Sequence, residues 1–316
     1  MKLLINNKEF NFFSSYSVTL KYNAIASSFS FTGVYDFLSA FLTYSQVKIL
    51  NDSNELLITG TIVNETRSKS VKPTQLTCSG YSLCGVLEDV SIPLSLYPLQ
   101  SDNRNLFEII KRFTDKFGIS VIKQGSEIES ALTKQYDKST AEASESIKGY
   151  INNLCSQRGI ILTHDKNGNL VLSKGDIIPV AIKIENVISY SLTVNGQALH
   201  SEISVIRQAA INNPDGGEFT VYNPNVGAFR PKVKILSDGD LFDVETAAKN
   251  ELRAELATLQ LSIESKDFFK PGQVIELEVD SKVPYKKWFI EEATITGTTK
   301  GEKYNYKAVP VEVYQK

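Results

Sequence analysis

The sequence predicts an α+β fold dominated by β-strands, in which two β-rich regions flank a small helix-plus-sheet domain. Three patterns predict it: strand-like alternation at both ends of the chain, amphipathic helices in the middle, and a further helix before the last strands. A chain of 316 residues can hold more than one hydrophobic core. We therefore predict domains at residues 1–98, 99–176 and 177–316.

The first region reads as a succession of strands. LLIN, EFNFF, SVTLKY and SFSF are strand-like, and VKILNDSNELLITGTIV predicts a hairpin with the polar turn NDSN. Gly60 in the second hairpin strand suggests a bulge or bend, and Pro73 suits the edge or start of the next strand. The region ends in GYSLCGVLEDVSIP, residues 80–93.

The middle region carries two amphipathic helices. SDNRNLFEIIKRFTDKFG places Leu106, Ile110 and Phe113 at helical spacing, with Asp102 or Asn103 as cap and Gly118 as stop. SESIKGYINNLCSQRG repeats the pattern, and IILTHDKNGNLVLS predicts a hairpin around KNGN. These elements form the predicted helix-plus-sheet domain.

The third region returns to β character. DVETAAKNELRAELATLQ predicts a helix over residues 243–260, and KKWFIEEATITGT and KYNYKAVPVEVY predict closing strands in which Trp288 packs inward. The expected cap is Asp243, and the expected buried stripe is Ala248, Leu252, Leu256 and Leu259. The third region is predicted to include this helix and also a further, peripheral α+β element near the C-terminus. The order of the segments raises the possibility that the two β-rich regions are related copies.

Composition excludes several classes of function. The formal net charge of −2 provides no overall attraction to nucleic acid or anionic membranes. No apolar run is long enough to span a bilayer, and polar residues interrupt the N-terminal apolar stretch where a signal peptide would need continuity. The basic stretch 67–72 and Lys286-Lys287 beside Tyr285 could meet phosphates and bases, but polar loops are the favoured interpretation. Contact of 67–72 with nucleic acid stays open.

Cysteines and histidines are too few for a metal site. Cys78, Cys84 and Cys155 form an odd set in a chain with only two histidines, so buried thiols in a reducing compartment are expected. Glu88 and Asp89 are adjacent, which favours a turn or cap over paired catalysis.

The remaining polar residues give no catalytic set. His164 next to Asp165 predicts a solvated histidine on a hairpin, because adjacency suits a base and its orienting group poorly. Glu245, Glu251 and Glu255 predict an exposed charged helix face. No glycine stretch has the setting of a phosphate loop. The sequence therefore predicts no catalytic, cofactor-binding or metal-binding residues.

The succession of segments resembles the baseplate hub proteins of tailed bacteriophages, of the Mu-like and late control protein D kind. That family typically has G-[RY]-S-x-x-x-[DG]-L-x-D-x-S/T after its first β-domain, and an A-x-x-x-A/E-x-x-R helix before its terminal strands. Matching positions of the first motif are Gly80, Tyr81, Ser82, Leu87, Asp89 and Ser91. Residues 247–253 resemble the helix motif. Before the last strands, this chain has DFFKPGQ where the family has a GW...GxLW pattern.

The resemblance implies a non-enzymatic virion protein, assembled in the host cytoplasm. Each subunit of a homotrimer would carry two β-barrel-like, tube-lining domains, so that the ring joins a sixfold tail tube to a threefold central spike. Implied partners are the tail tube or a distal tail protein, the tape-measure protein and the spike, which we expect on a separate chain because nothing follows Lys316. Genome DNA would pass through the lumen without specific binding.

Two other hypotheses remain open from the sequence. A tail-tip receptor- or carbohydrate-binding protein is compatible with 14 tyrosines, 16 phenylalanines and polar loops. A cell-wall hydrolase would require one Asp or Glu on which peptidoglycan turnover depends.

Overall fold

A computed structural model describes residues 1–10, 13–34, 40–69, 75–174, 179–209, 216–237, 239–298 and 300–315. The first β-rich region contains β1 (Lys2–Ile5), β2 (Lys8–Phe10), β3 (Phe13–Lys21), β4 (Ser28–Val34), β5 (Gln46–Leu50), β6 (Leu56–Ser68) and β7 (Gln75–Ser82). The middle region contains α1 (Val86–Asp89), β8 (Arg104–Asn105), α2 (Leu106–Thr114), β9 (Val121–Gln124), α3 (Ile128–Thr133), β10 (Gln135–Tyr136), α4 (Ile147–Gln157), β11 (Ile161–His164) and β12 (Leu170–Ser173).

The C-terminal region contains β13 (Ile182–Lys183), β14 (Val187–Val194), β15 (Glu202–Arg207), β16 (Gly217–Tyr222), β17 (Pro231–Leu236), α5 (Val244–Ala254), β18 (Leu259–Ser265), β19 (Val274–Glu276), β20 (Lys287–Thr298) and β21 (Gly301–Pro310). The β-dominated α+β fold class predicted from the sequence is confirmed. The boundaries of the three domains stay a prediction.

One sheet of 13 strands runs through both β-rich regions, in the order β14-β18-β21-β20-β3-β4-β7-β6-β5-β1-β2, with β13 and β19 beside it. The two regions meet where β20 pairs antiparallel with β3, and Thr294 lies opposite Thr19. Alternation places one face of this sheet against apolar cores. The N- and C-terminal parts of the chain are thus hydrogen-bonded into a single sheet.

The two regions share one strand order. Strands β3, β4, β7 and β6 lie side by side in that order, and we call them the N-terminal quartet. Strands β14, β18, β21 and β20 form the C-terminal quartet, and in both quartets the sheet order is first, second, fourth, third along the chain. Even the accessory strands correspond, because β5 pairs with β6 as β19 pairs with β20. This topology supports the hypothesis of related copies.

The helix-plus-sheet domain has a core of its own. The buried faces of α2, α3 and α4 pack together, and Phe113 is 0% exposed at the centre. Asn105 caps α2 in a capping box with Glu108, so the prediction of Asp102 or Asn103 as cap was wrong by two or three residues. An asparagine directly before the first buried leucine satisfies the helix's free N–H groups better. Gly118, at φ 66°, ends the helical segment as predicted.

The hairpin of β11 and β12 forms around the KNGN turn, as predicted, with four residue pairs in register. His164 is not solvated, which corrects the sequence prediction. Its Nδ1 donates to the Ala24 carbonyl over 2.8 Å, and its Nε2 lies 2.8 Å from the Ser27 hydroxyl. The histidine therefore fastens the hairpin to the loop between β3 and β4.

A separate α/β element interrupts the C-terminal quartet between β14 and β18. Strands β16-β15-β17 form its sheet, and α5 packs on one face through Ala247 and Ala248. The predicted helix 243–260 is too long: Asp243 caps it as expected, but the α-helix ends at Ala254 and a 3-10 turn covers Glu255–Thr258. Leu259 already begins β18.

Two glycines permit close strand packing in the N-terminal quartet. A Cβ on Gly80 would lie 1.9 Å from the Thr61 carbonyl oxygen, and one on Gly60 would lie 2.3 Å from that of Tyr81. The bulge predicted at Gly60 is absent, because Gly60 pairs regularly with Ser82 and the register of β6 shifts between Ile62 and Asn64. Pro73 lies outside the described residues.

Candidate assembly surface

The acidic pair that stood out in the sequence does not form a reactive site. Glu88 and Asp89 are both exposed in the short helix α1, not in an extended segment. Glu88 pairs with Lys148, and the Tyr81 hydroxyl donates to Asp89. Burial, followed by that hydrogen bond, raises the pKa of Tyr81. Their contacts position a turn and do not activate a nucleophile.

The predicted signature residues lie together where β7 leads into α1. Gly80 allows the strands to approach, Ser82 exchanges two hydrogen bonds with Ser27, and Leu87 is 1% exposed. Ser91 forms an isolated bridge with Ser146, at the N-cap of α4. The set therefore joins the N-terminal quartet to the helix-plus-sheet domain, and its status as a family signature stays a prediction.

The cysteines are buried, as predicted. All three are free and buried. Burial raises the pKa of Cys78 to about 11 and that of Cys84 to about 12, and it also raises the pKa of Cys155. In the described residues, His, Cys, Asp and Glu side chains form no group of three that could hold a metal ion. No helix of the described part is long and apolar enough to cross a membrane.

The acidic residues of α5 and of the 3-10 turn that follows it make more contacts than the sequence predicted. Glu255 is 6% exposed and accepts from the His200 backbone N–H at 3.0 Å, with its Oε1 2.6 Å from His200 Nδ1. Glu251 pairs with Lys232 and Lys234 of β17. Of the predicted exposed face only Glu245, paired with Lys249, is on the surface. Leu256 and Leu259 are half-buried around an open groove of about 800 Å³, so the predicted stripe is incomplete.

In the described residues, the aromatic and basic candidates do not come together as a platform for nucleic acid. Trp288 is 0% exposed and donates from Nε1 to the Leu277 carbonyl over 3.0 Å, which confirms that it packs inward. Lys286 pairs with Glu278. Arg67 of the basic stretch pairs with Glu65, while residues 70–72 lie outside the described residues.

The most distinctive surface is the face of the two quartets that points away from the apolar cores, which we call the polar face. Alternation along the paired strands places short polar side chains on it almost throughout. Its polar members include Ser15, Ser17, Thr19 and Lys21 (β3), Ser28, Ser30 and Thr32 (β4), Thr77 and Ser79 (β7), Asn64, Thr66 and Ser68 (β6), Glu292, Thr294, Thr296 and Thr298 (β20), Lys303, Asn305 and Lys307 (β21), Gln260, Ser262 and Glu264 (β18), and Ser189, Ser191 and Thr193 (β14). Val34 of β4 and Tyr81 of β7 lie on the same face.

The polar face is hydrogen-bonded to itself and electrically balanced. The hydroxyl oxygens of Thr19 and Thr294 are 3.1 Å apart across the junction of the quartets. Charged residues concentrate in the C-terminal quartet, where Glu264 pairs with Lys303 at 2.8 Å and Glu292 with Lys307 at 2.9 Å. Because these charges are compensated, the face has little capacity to hold a polyanion by its phosphates.

The outermost strands of the two quartets, β14 and β6, differ from the strands between them because each has an edge, or part of one, without a described partner strand. In the described residues β14 pairs only with β18, so one of its edges is open, and Tyr190 and Val194 are 46% and 54% exposed there. At the other end, β6 from Asn64 onward pairs only with β7 among the described strands. Open strand edges are templates for pairing with another chain. Because the eight strands alternate in direction, β14 and β6 run in opposite directions. The open edge of β6 in one copy can therefore pair antiparallel with that of β14 in another copy.

The sequence-based prediction missed this surface, although the sequence contains a signal for it. SVTLK, SFSFT, QLTCS, LSIES and ATITGT alternate Ser or Thr with apolar residues. A solvated strand usually carries charged and longer polar side chains on its wet face as well. Repetition of small hydroxyl residues in five separate strands indicates one shared surface.

Comparisons with known proteins place this fold. A family model for the second domain of gp44-like baseplate hub proteins matches residues 84–174. No curated protein is significantly similar to the chain in sequence.

Several solved structures share the fold over almost the whole chain. The 43 kDa tail protein of prophage MuSo2 from Shewanella oneidensis has a TM-score of 0.80 at 17% identity, over 99% of this chain and 98% of that one. The tail protein from Neisseria meningitidis MC58 has a TM-score of 0.79 at 16% identity, over 99% and 97%. The E. coli c3393 protein, a type VI secretion component similar to the phage T4 tail proteins gp27 and gp5, reaches 0.61 at 10% identity, over 98% and 77%.

These findings define the class first: the chain has the fold of phage tail proteins. Within that class, residues 84–174 match the second domain of gp44-like baseplate hub proteins. The resemblance predicted from the sequence is thereby confirmed.

Proposed function

We propose that this chain is the structural hub at the tip of a phage tail or of a phage-like injection machine. Three copies form a ring that joins the sixfold tail tube on one side to a threefold spike on the other. The polar face lines the channel of the ring. The protein acts by shape and symmetry and catalyses no reaction.

The observation that carries this proposal is the repeated quartet. Each chain holds two four-stranded units of identical strand order in one continuous sheet. Three chains therefore present six similar units, which is the number that a sixfold tube requires. The other parts of the chain occur once per copy and so three times in the ring. A closed ring of this kind also removes the open edges that would otherwise promote aggregation.

The chemistry of the polar face supports its place in the channel. Serine and threonine hydroxyls hydrate the wall, and each lysine of the paired sets faces a glutamate. A polyanion is held when it neutralises clustered cations and releases counterions. On a wall with compensated charges, DNA slides through without specific binding.

The proposed partners follow from this position. The tail tube or a distal tail protein binds one rim, the spike binds the other, and the tape-measure protein occupies the channel before DNA is released. The protein is then a virion component, assembled in the host cytoplasm.

Native mass spectrometry of the purified chain tests the proposal. The expected result is a trimer that forms from monomers as concentration rises, because ring closure depends on mass action. A strict monomer at concentrations where the protein remains folded would contradict the ring. A dimer with twofold symmetry would contradict it equally, since isologous pairing cannot produce six units.

A further inference from the structure

The two quartets can be matched residue by residue from their bulges. The register shift in β6 falls after Ile62, which pairs with Gly80, and the shift in β20 falls after Ile290, which pairs with Ala308. Both bulges lie on the third strand of a quartet. Residues 64–68 of β6 therefore correspond to residues 292–296 of β20.

The match extends across each quartet to its first strand. Glu65, Cys78, Phe31 and Tyr16 form one cross-strand row of the N-terminal quartet. The row at the same distance from the bulge in the C-terminal quartet is Ala293, Tyr306, Ile263 and Tyr190. Tyrosine thus ends both rows. Counting on from the two tyrosines, Thr193 of β14 corresponds to Thr19 of β3.

Inside the chain, the third strand of one quartet already pairs with the first strand of the other. This is the β20–β3 junction, in which Thr294 lies opposite Thr19, Thr296 opposite Ser17 and Glu292 opposite Lys21. The equivalent strands at the outer ends of the two quartets are β6 and β14; among the described strands, β14 pairs only with β18, and the part of β6 after the bulge pairs only with β7. One junction is made within the chain, and its counterpart needs a second copy.

We propose that β6 of one copy pairs with β14 of the next copy in the register of the β20–β3 junction. This places Thr66 opposite Thr193 of the neighbouring copy, with Ser68 opposite Ser191 and Asn64 opposite Asn195. The inference rests on the proposed trimeric ring and specifies how that ring closes. The polar face then continues without interruption from copy to copy.

The backbone around the bulge supports the same register. The Gly272 N–H donates to the Ile290 carbonyl, and the Ile290 N–H donates to the Gln273 carbonyl, which closes the edge of β20 just before the junction with β3. Tyr44 and Ser45 make the same two hydrogen bonds with Ile62 of β6. The edge of β6 is thus closed at the bulge, and beyond it no described strand pairs with this edge, where the neighbour's β14 is placed. The contacts of the preceding segment with this part of β6 go to side chains: the Leu42 N–H donates to Glu65, and Arg67 donates to the Ala40 carbonyl.

An exposed aromatic residue gains a partner in this arrangement. In the chain, the segment after β3 brings the Tyr22 ring within 3.1 Å of a Cβ placed on Gly272. The equivalent of Gly272 is Tyr44, which is 83% exposed and has a φ of 65°. The segment after β14 of the neighbouring copy would cover it, and the apolar surface of Val194 would be buried at the same time.

The two junctions differ on the side that faces the cores. Ala293 and Ile295 pack against Leu20 and Val18 within the chain, and all four are buried. At the equivalent positions of β6 the ion pair of Glu65 and Arg67 would face Val194 and Leu192 of the neighbour. An ion pair gains little from being covered by apolar side chains. We therefore expect the junction between copies to be the weaker of the two.

Cysteine cross-linking tests this register. The double variant Thr66→Cys with Thr193→Cys puts both thiols on the polar face, and directly opposed residues have Cβ atoms about 5 Å apart, which a disulfide can bridge. Mild oxidation should give covalent dimers and trimers on a non-reducing gel. The native cysteines are buried and do not compete.

A matched control keeps the cysteine at position 66 and moves the second cysteine to another position on the same face of β14. The pair Thr66→Cys with Ser189→Cys lies off register and should give little cross-link, as should each single variant. If native mass spectrometry shows the trimer and the Thr66/Thr193 pair does not cross-link, the register is wrong while the ring stands. If every variant and the parent chain are monomeric, the ring itself fails.

Discussion

The N- and C-terminal quartets share a strand order and differ in what surrounds them. The N-terminal quartet is followed by the helix-plus-sheet domain, whose core includes Ile25, Cys84 and Leu87 from the region around that quartet. The C-terminal quartet is interrupted by the α/β element, which has a separate core around Ile203, Val205 and Ala248. In the proposed ring, the quartet occurs six times, whereas each of the two attached parts occurs three times.

The polar faces of the quartets differ in a similar way. Hydroxyl and amide groups dominate β4, β7 and β6, whereas β18, β20 and β21 carry paired glutamates and lysines. Both solutions avoid uncompensated charge. Both quartets therefore present a polar surface with little net charge, built from different side chains.

The largest expected effect is a loss of folding stability that distinguishes the helix-plus-sheet domain from the α/β element. Phe113→Asp places a charge in the core that is shared with the N-terminal region, and we expect a loss of about 4 kcal/mol or more of the free energy of unfolding. No soluble trimer should form. Val205→Asp, in the separate core of the α/β element, should leave the large sheet folded by far-ultraviolet circular dichroism. Recovery of a normal trimer by the Phe113 variant would contradict the placement of this helix.

A second pair of variants tests the residue match between quartets. Gly80 and Ala308 are equivalent, yet a Cβ on Gly80 would collide with Thr61 and the Phe29 ring. Gly80→Ala should cost about 2 kcal/mol through overpacking. Ala308→Gly should cost about 1 kcal/mol through backbone entropy and a lost methyl group. If chemical denaturation showed equally small changes in the free energy of unfolding for both variants, the proposed steric difference between the quartets would be wrong.

The hairpin anchor predicts a dependence on pH. Burial lowers the pKa of His164 from its ordinary 6.5, so the folded protein binds fewer protons there than the unfolded chain. Stability should therefore fall as the pH drops below about 6.5 and be fully present above it. His164→Gln should lose stability at neutral pH and show a flatter profile between about pH 7 and 5. An unchanged profile would mean that this histidine does not hold the anchor.

The smallest expected effect comes from the acidic pair. Glu88→Gln removes an exposed ion pair with Lys148, and the free energy of unfolding should change by no more than about 0.5 kcal/mol. Folding and infectivity should stay close to those of the parent. Loss of an enzymatic turnover in this variant would instead support a catalytic function for the chain.

Much of the fold could be predicted from local patterns. The hairpins around NDSN and KNGN, the helices after Asn105 and Ser146, and the inward Trp288 follow from periodicity and turn chemistry. Pairing of β3 with β20 could not be predicted, because strands from opposite ends of the chain have no local signal for register. Glu255 and His164 were misjudged for the same reason, since their partners lie in distant segments.

Direct imaging of the purified assembly tests the central claim, that two quartets per chain in three copies build one channel. Single-particle electron microscopy should show a threefold ring whose inner wall consists of six similar four-stranded units with the polar face toward the lumen. A ring whose inner wall is formed by the helix-plus-sheet domains, with the quartets outside, would contradict the account.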